Sequence, residues 1–112
     1  MPAFRTPGLL LGAFFLLLGS LPAFAQDREA SLTFRNHAFD PPELELPAGA
    51  RIKLTVKNAD ATPAEFECTE LRREKVVPAN GEGIVYLGPL KAGSYECFDD
   101  FHPETRVRIV VK

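Results

Sequence analysis

Apolar and polar residues alternate along this chain in short runs, and turn residues separate the runs. Such a period-two pattern places successive side chains on opposite faces of a strand. In Ser31 to Arg35, Leu32 and Phe34 share one face. Glu43-Leu44-Glu45-Leu46 alternates strictly, and in Arg51 to Val56 the residues Ile52, Leu54 and Val56 fall on one side. Shorter runs follow at Glu65 to Cys68, Glu82 to Leu87 and Ser94 to Phe98, and Val107 to Val111 closes the chain as a terminal strand. Between them stand Pro41-Pro42, Pro47-Ala48-Gly49, the polar stretch Asn58 to Pro63, and Gly88-Pro89, all residues that break pairing or favour turns. Leu71 to Val77 reads either as a short helical turn or as a solvated crossing loop, because Arg72-Arg73-Glu74-Lys75 shows no apolar period. No segment sustains a helical period. About seven short strands without helical partners predict an all-β sandwich or barrel.

The first 25 residues change the picture of where the protein works. Arg5 precedes an apolar run from Leu9 to Leu18, and Ala23-Phe24-Ala25 fits the small-x-small rule of signal cleavage. The run is short for a membrane span, and Gln26, Asp27, Arg28 and Glu29 follow it directly. The expected organisation is therefore a cleaved signal peptide over 1–25 and a single domain over 26–112, exported to the periplasm. Thirteen basic against fifteen acidic residues give a formal net charge of −2, and the basic residues are scattered. That excludes the clustered positive footprint of a nucleic-acid binder. A hydrolase is disfavoured, because no serine or cysteine nucleophile stands in a recognisable pattern with histidine. The chain has two cysteines, Cys68 and Cys97. In an oxidising compartment such a pair is first a disulfide candidate, then a pair of buried thiols, then a thiol pair for copper.

Three stretches carry a resemblance: NHAFDPPELELPAGARIKLTVKN, TPAEFECTELRREKVV and GPLKAGSYECFDDFHPET. In that order they resemble the cupredoxin-like family, and within it the EfeO-type branch, whose small stand-alone members accompany bacterial ferrous-iron uptake. The resemblance implies a Greek-key β-sandwich over most of residues 26–112. It also implies a metal site at one end, built by the loops that hold copper in blue-copper proteins. Matched to that pattern, Asp99 stands where the thiolate ligand belongs, His102 matches the later histidine, and the first histidine position falls at or beside Ala64. No methionine follows His102. A trigonal thiolate site of the blue-copper type is therefore not expected.

What the resemblance implies instead is convergence of Glu65, Glu67, Asp99 and His102 at one end of the sandwich, with His37 and Asp40 rising to it on the first connecting loop. Glu65 and His102 are the leading ligand candidates, then His37 and Asp99; Glu67 serves as a ligand or as a group that orients one. Carboxylates with imidazoles suit Fe(III), Fe(II) or Cu(II) better than Cu(I). The expected cofactor is a copper ion, an iron ion or both. The expected role is help in iron uptake, by Fe(II) oxidation or by delivery of iron to a partner in the periplasm or the inner membrane. The resemblance makes the strands of Cys68 and Cys97 antiparallel neighbours, which favours the disulfide. A copper carrier with both thiols reduced, and a docking module with a degenerate site, are the alternatives.

Overall fold

The computed structural model describes residues 26–112, nine β-strands in two sheets. The expected signal peptide lies outside the described residues. One sheet has the order β2-β1-β4-β7, from Ala38–Asp40, Arg28–Arg35, Ile52–Asn58 and Glu82–Leu87. The other has the order β3-β9-β8-β5-β6, from Glu43–Leu46, His102–Val111, Gly93–Asp99, Ala64–Cys68 and Arg73–Val77. β1 runs parallel to β4 and β3 parallel to β9, while the remaining pairs are antiparallel. Among the described residues no helix is long and apolar enough to cross a membrane.

The all-β sandwich expected from the alternation is thus present. The inward sets are those the period selects: Leu32 and Phe34 on β1, Ile52, Leu54 and Val56 on β4, Val85 and Leu87 on β7, and Val107, Ile109 and Val111 on β9 are all buried. They form one core with Phe39, Leu46, Ala64, Phe66 and Val77, and removing this apolar surface from water is the main favourable term holding the sheets together.

Two strands go beyond the seven read from the pattern. β2 follows Asn36-His37, whose φ angles of 55° and 56° form the two-residue turn of a tight hairpin. β6 resolves the ambiguous stretch: Thr69–Leu71 makes one 3-10 turn, Arg72 closes it at φ 54°, and Arg73–Val77 pairs with β5. β6 is an edge strand whose residues are exposed except for Val77, so backbone pairing defines it and no apolar alternation announces it.

β5 and β8 pair with Phe66 opposite Asp99 and Glu67 opposite Phe98, which sets Cys68 against Cys97. Their Cα atoms are 4.3 Å apart, and the two sulfurs are joined in a disulfide with both residues fully buried. The leading reading of the cysteines therefore holds.

Candidate metal centre

The end of the sandwich where β1 turns into β2 and β8 turns into β9 carries both histidines of the chain. His102 opens β9 directly after the turn at Asp100 and Phe101. His37 is the second residue of the β1–β2 turn. Their ring centroids lie 4.6 Å apart with the planes tilted by 46°. The side chains are 52% and 38% exposed for His37 and His102, so both rings meet solvent.

Each histidine is held by a carboxylate. Asp99 points into the sandwich on the same side of β8 as Cys97 and is 2% exposed. Its Oδ1 accepts the backbone N–H groups of Glu65 (2.9 Å) and Phe101 (3.0 Å), which ties β5 to the β8–β9 turn. Its Oδ2 faces His102 Nδ1 at 3.3 Å. Asp60 does the corresponding work across the sheet: its two oxygens accept the N–H groups of Asn36 (2.6 Å) and His37 (2.9 Å). A histidine at positive φ is uncommon, and these two bonds offset the local cost. The backbone bond from His37 holds the Asp60 carboxyl below its ordinary value, against an opposing effect of burial. Asp60 is itself placed by buried Asn58, whose Oδ1 accepts the Asp60 N–H while Nδ2 donates to the carbonyls of Thr62 and Val77. Thr105 Oγ1 donates to the His37 carbonyl at 2.7 Å and joins the hairpin turn to β9.

Glu65 and Glu67 occupy different ground. On β5 the inward residues are Ala64, Phe66 and Cys68, so both glutamates project from the outer face of the sheet. There they meet Asp100, and the three carboxylates bring one oxygen each within 4.8 Å of one another. Burial against the sheet, then Asp100 beside them, pushes both glutamate carboxyls above their ordinary value. Glu74 stands opposite Glu67 on β6 and adds to the repulsion.

The five expected ligand residues therefore fall into two groups. His37, His102 and Asp99 gather at the end of the sandwich, and Glu65 and Glu67 gather with Asp100 outside it. Among the described residues, this acidic group alone brings three donor atoms so close. Asp40 pairs with Arg35. Asp60 and Asp100 were not among the expected residues. Asn58-x-Asp60 after a strand is an Asx-turn signal that marks the former, while only adjacency to Asp99 marks the latter.

Residues 8–111 match the cupredoxin-like domain. The chain belongs to the cupredoxin-like domain family. An uncharacterized protein of Rickettsia prowazekii (strain Madrid E) is 40% identical over 83 residues, which cover 74% of this chain and 66% of that protein. The chain thus spans just under two thirds of that curated relative. Among solved structures, this cupredoxin-like protein is similar to the metal-binding domain of the Streptococcus pneumoniae D39 Cu(I)-exporting P-type ATPase CopA, solved with Cu(I). The TM-score is 0.69 at 14% identity, covering 75% of this chain and 84% of that one. It is also similar to auracyanin A, a blue copper protein of Chloroflexus aurantiacus, with a TM-score of 0.66 at 15% identity over 78% of this chain and 100% of that one. At these identities the likeness is one of fold.

The side chains of this family member do not fit a blue-copper centre. That centre needs a thiolate ligand, and both sulfurs here are bonded to each other in the core. What the loops present instead is two solvent-facing imidazoles with a buried carboxylate behind one of them. Neutral imidazole nitrogen is a ligand for borderline ions such as Cu(II), Zn(II) and Fe(II).

Proposed function

We propose that this cupredoxin-like protein is a periplasmic metal-binding protein of the EfeO-type branch that serves iron uptake, taking Cu(II) or iron at the His37–His102 end and passing it to a transport partner. The observation that carries the reading is the approach of the two exposed imidazoles at 4.6 Å on separate, carboxylate-braced turns. A histidine pair at an open end admits a metal ion and releases it. Glu65, Glu67 and Asp100 lie next door, linked through the Asp100 N–H to the Glu65 carbonyl at 2.8 Å, and supply negative charge that draws cations toward that end. Both delivery of iron and Fe(II) oxidation at a bound copper ion remain forms of this reading, since imidazole and carboxylate donors serve either. Among redox roles, the lack of a thiolate disfavours only electron transfer of the blue-copper kind. The same fact disfavours a copper carrier working through Cys68 and Cys97.

Titration of the chain from Gln26 with Cu(II), followed by electron paramagnetic resonance and visible absorption, tests this reading. The expected result is stoichiometric binding with nitrogen and oxygen ligation, no intense thiolate band, and loss of binding in His102→Ala. Absence of binding, or binding indifferent to His102, refutes it. A docking module is the second reading, favoured by Phe101, a ring 48% exposed at the tip of the β8–β9 turn beside His102. In that case Phe101→Ser weakens partner capture, while His102→Ala leaves both capture and cellular iron uptake unchanged.

A further inference from the structure

The last strand of each sheet carries backbone N–H and C=O groups with no neighbouring strand, and such an edge is where a second chain can pair. The edge strands here are β2, β7, β3 and β6, with 3, 6, 4 and 5 residues. β7 is the longest, and after Glu82 it runs Gly83-Ile84-Val85-Tyr86-Leu87 without a charge or a proline. A short, nearly uncharged segment with β-branched and aromatic residues has the composition of a self-pairing strand. Ile84 and Tyr86 are 43% and 42% exposed on its outer side.

β6 belongs to the other sheet and covers this edge with two basic side chains. Arg73, Lys75 and Val77 share one side of β6 by the strand period, and Val77 is buried in the core. Arg73 Nε donates to the Tyr86 carbonyl at 3.0 Å, and its Nη1 donates to the Arg72 carbonyl at 3.1 Å, which holds the guanidinium in place. The Tyr86 carbonyl therefore faces the free edge of β7, away from β4. Backbone groups of an antiparallel strand alternate between its two edges, so Ile84 presents its N–H and C=O to the same free edge. Lys75 lies over the next part of the strand. A Cβ placed on Gly83 would sit 3.2 Å from Lys75 Cγ and 3.3 Å from its Cε, so the stem runs directly across Gly83. An exposed hydrogen bond such as that of Arg73 adds little to stability, and its main consequence is that an edge acceptor is occupied.

We infer that Arg73 and Lys75 hold the β7 edge shut against a second copy of this chain, and that β7 is the strand through which two copies pair once both side chains are removed. The edge itself selects the occupant. Two identical edges related by a two-fold axis meet antiparallel, so the free donors and acceptors of one β7 face those of the other. With the basic pair in place, each copy would bring two positive charges to that seam and would have to surrender the bond to the Tyr86 carbonyl.

The test compares the wild-type chain from Gln26 with a double variant, Arg73→Ser with Lys75→Ser, which adds no apolar side chain. Light scattering on a sizing column, over micromolar to millimolar concentrations, reads the association, and amide hydrogen exchange reads the strand that forms it. The wild type is expected to stay monomeric, with the Ile84 and Tyr86 amides exchanging rapidly. The double variant should double its apparent mass as concentration rises, with those two amides becoming protected. Adding Ile84→Pro removes one edge-facing N–H, leaves the bonds to β4 in place, and should restore the monomer. Circular dichroism checks that each variant is folded. Where the double variant does not fold, Arg73→Ser alone serves, since it frees the Tyr86 carbonyl and leaves the Lys75 stem over Gly83. A wild type that already dimerises through β7 overturns the inference, as does a folded variant whose mass never changes. Association that leaves the Ile84 and Tyr86 amides fast, or that survives Ile84→Pro, overturns it as well.

Discussion

Reduction of the Cys68–Cys97 disulfide isolates one stabilising feature without removing an atom from the core. The cysteines are 29 residues apart in sequence and joined across neighbouring strands. In the chain-entropy treatment, a crosslink closing a loop of that size removes freedom from the unfolded chain equivalent to about 3.6 kcal/mol at 25 °C. The thiols stay in the same buried positions, so no cavity adds to the loss. Small domains have only about 5–15 kcal/mol of net stability, so the effect is large. With a urea m-value of about 1–1.5 kcal/mol/M for a domain of this size, the midpoint falls by about 2.5–3.5 M on reduction. The corresponding drop in Tm is about 15–30 °C. The assay is urea unfolding of the chain from Gln26 followed by circular dichroism, with and without a thiol reductant. A thiol count on the native oxidised protein runs beside it and should find none. Midpoints within about 0.5 M of each other, or two reactive thiols in the native protein, refute the reasoning and reopen the thiol-pair reading of the cysteines.

Asn58→Ala removes three hydrogen bonds that hold the β4–β5 loop and leaves the Val77 carbonyl short of a partner. A loss of about 2–4 kcal/mol is expected by urea unfolding, together with faster amide exchange at Asn36 and His37, whose N–H groups lose the placement of Asp60. Glu67→Gln should stabilise the protein at neutral pH, because the wild-type carboxyl is pushed above its ordinary value in the fold, by burial first and then by Asp100 and Glu74. With the folded value raised, the folded state holds more protons through the window between the unfolded and folded values, so wild-type stability falls as pH rises through it. The advantage of Glu67→Gln therefore appears above that window and vanishes below about pH 4, and added salt should shrink the part of it due to Asp100 and Glu74. Equal pH dependence of the two proteins would contradict this account.

Seven of the nine strands, their inward residues and the turns between them were legible in the chain, because burial on one face writes a period-two pattern into consecutive residues. Leu32 with Phe34, and Ile52 with Leu54 and Val56, needed no knowledge of their neighbours. Cys68 and Cys97 were recognisable as a candidate pair from number and compartment, but their meeting depended on the register of β5 against β8. β6 escaped because an exposed edge strand is held by backbone bonds, which leave no side-chain pattern.

For the candidate metal centre, residue chemistry together with the family resemblance singled out His37, His102, Asp99, Glu65 and Glu67, and tertiary structure decided which of them meet. Strand parity turns Glu65 and Glu67 outward while Asp99 turns inward, and the separation of the two groups follows from that. Asp60, 24 residues from Asn36 and 23 from His37 in the chain, became a brace for the histidine turn only when β1 lay beside β4. Alternation is a local consequence of burial and can be read one strand at a time. The meeting of loops depends on sheet order and stagger, which arise from the packing of the whole domain.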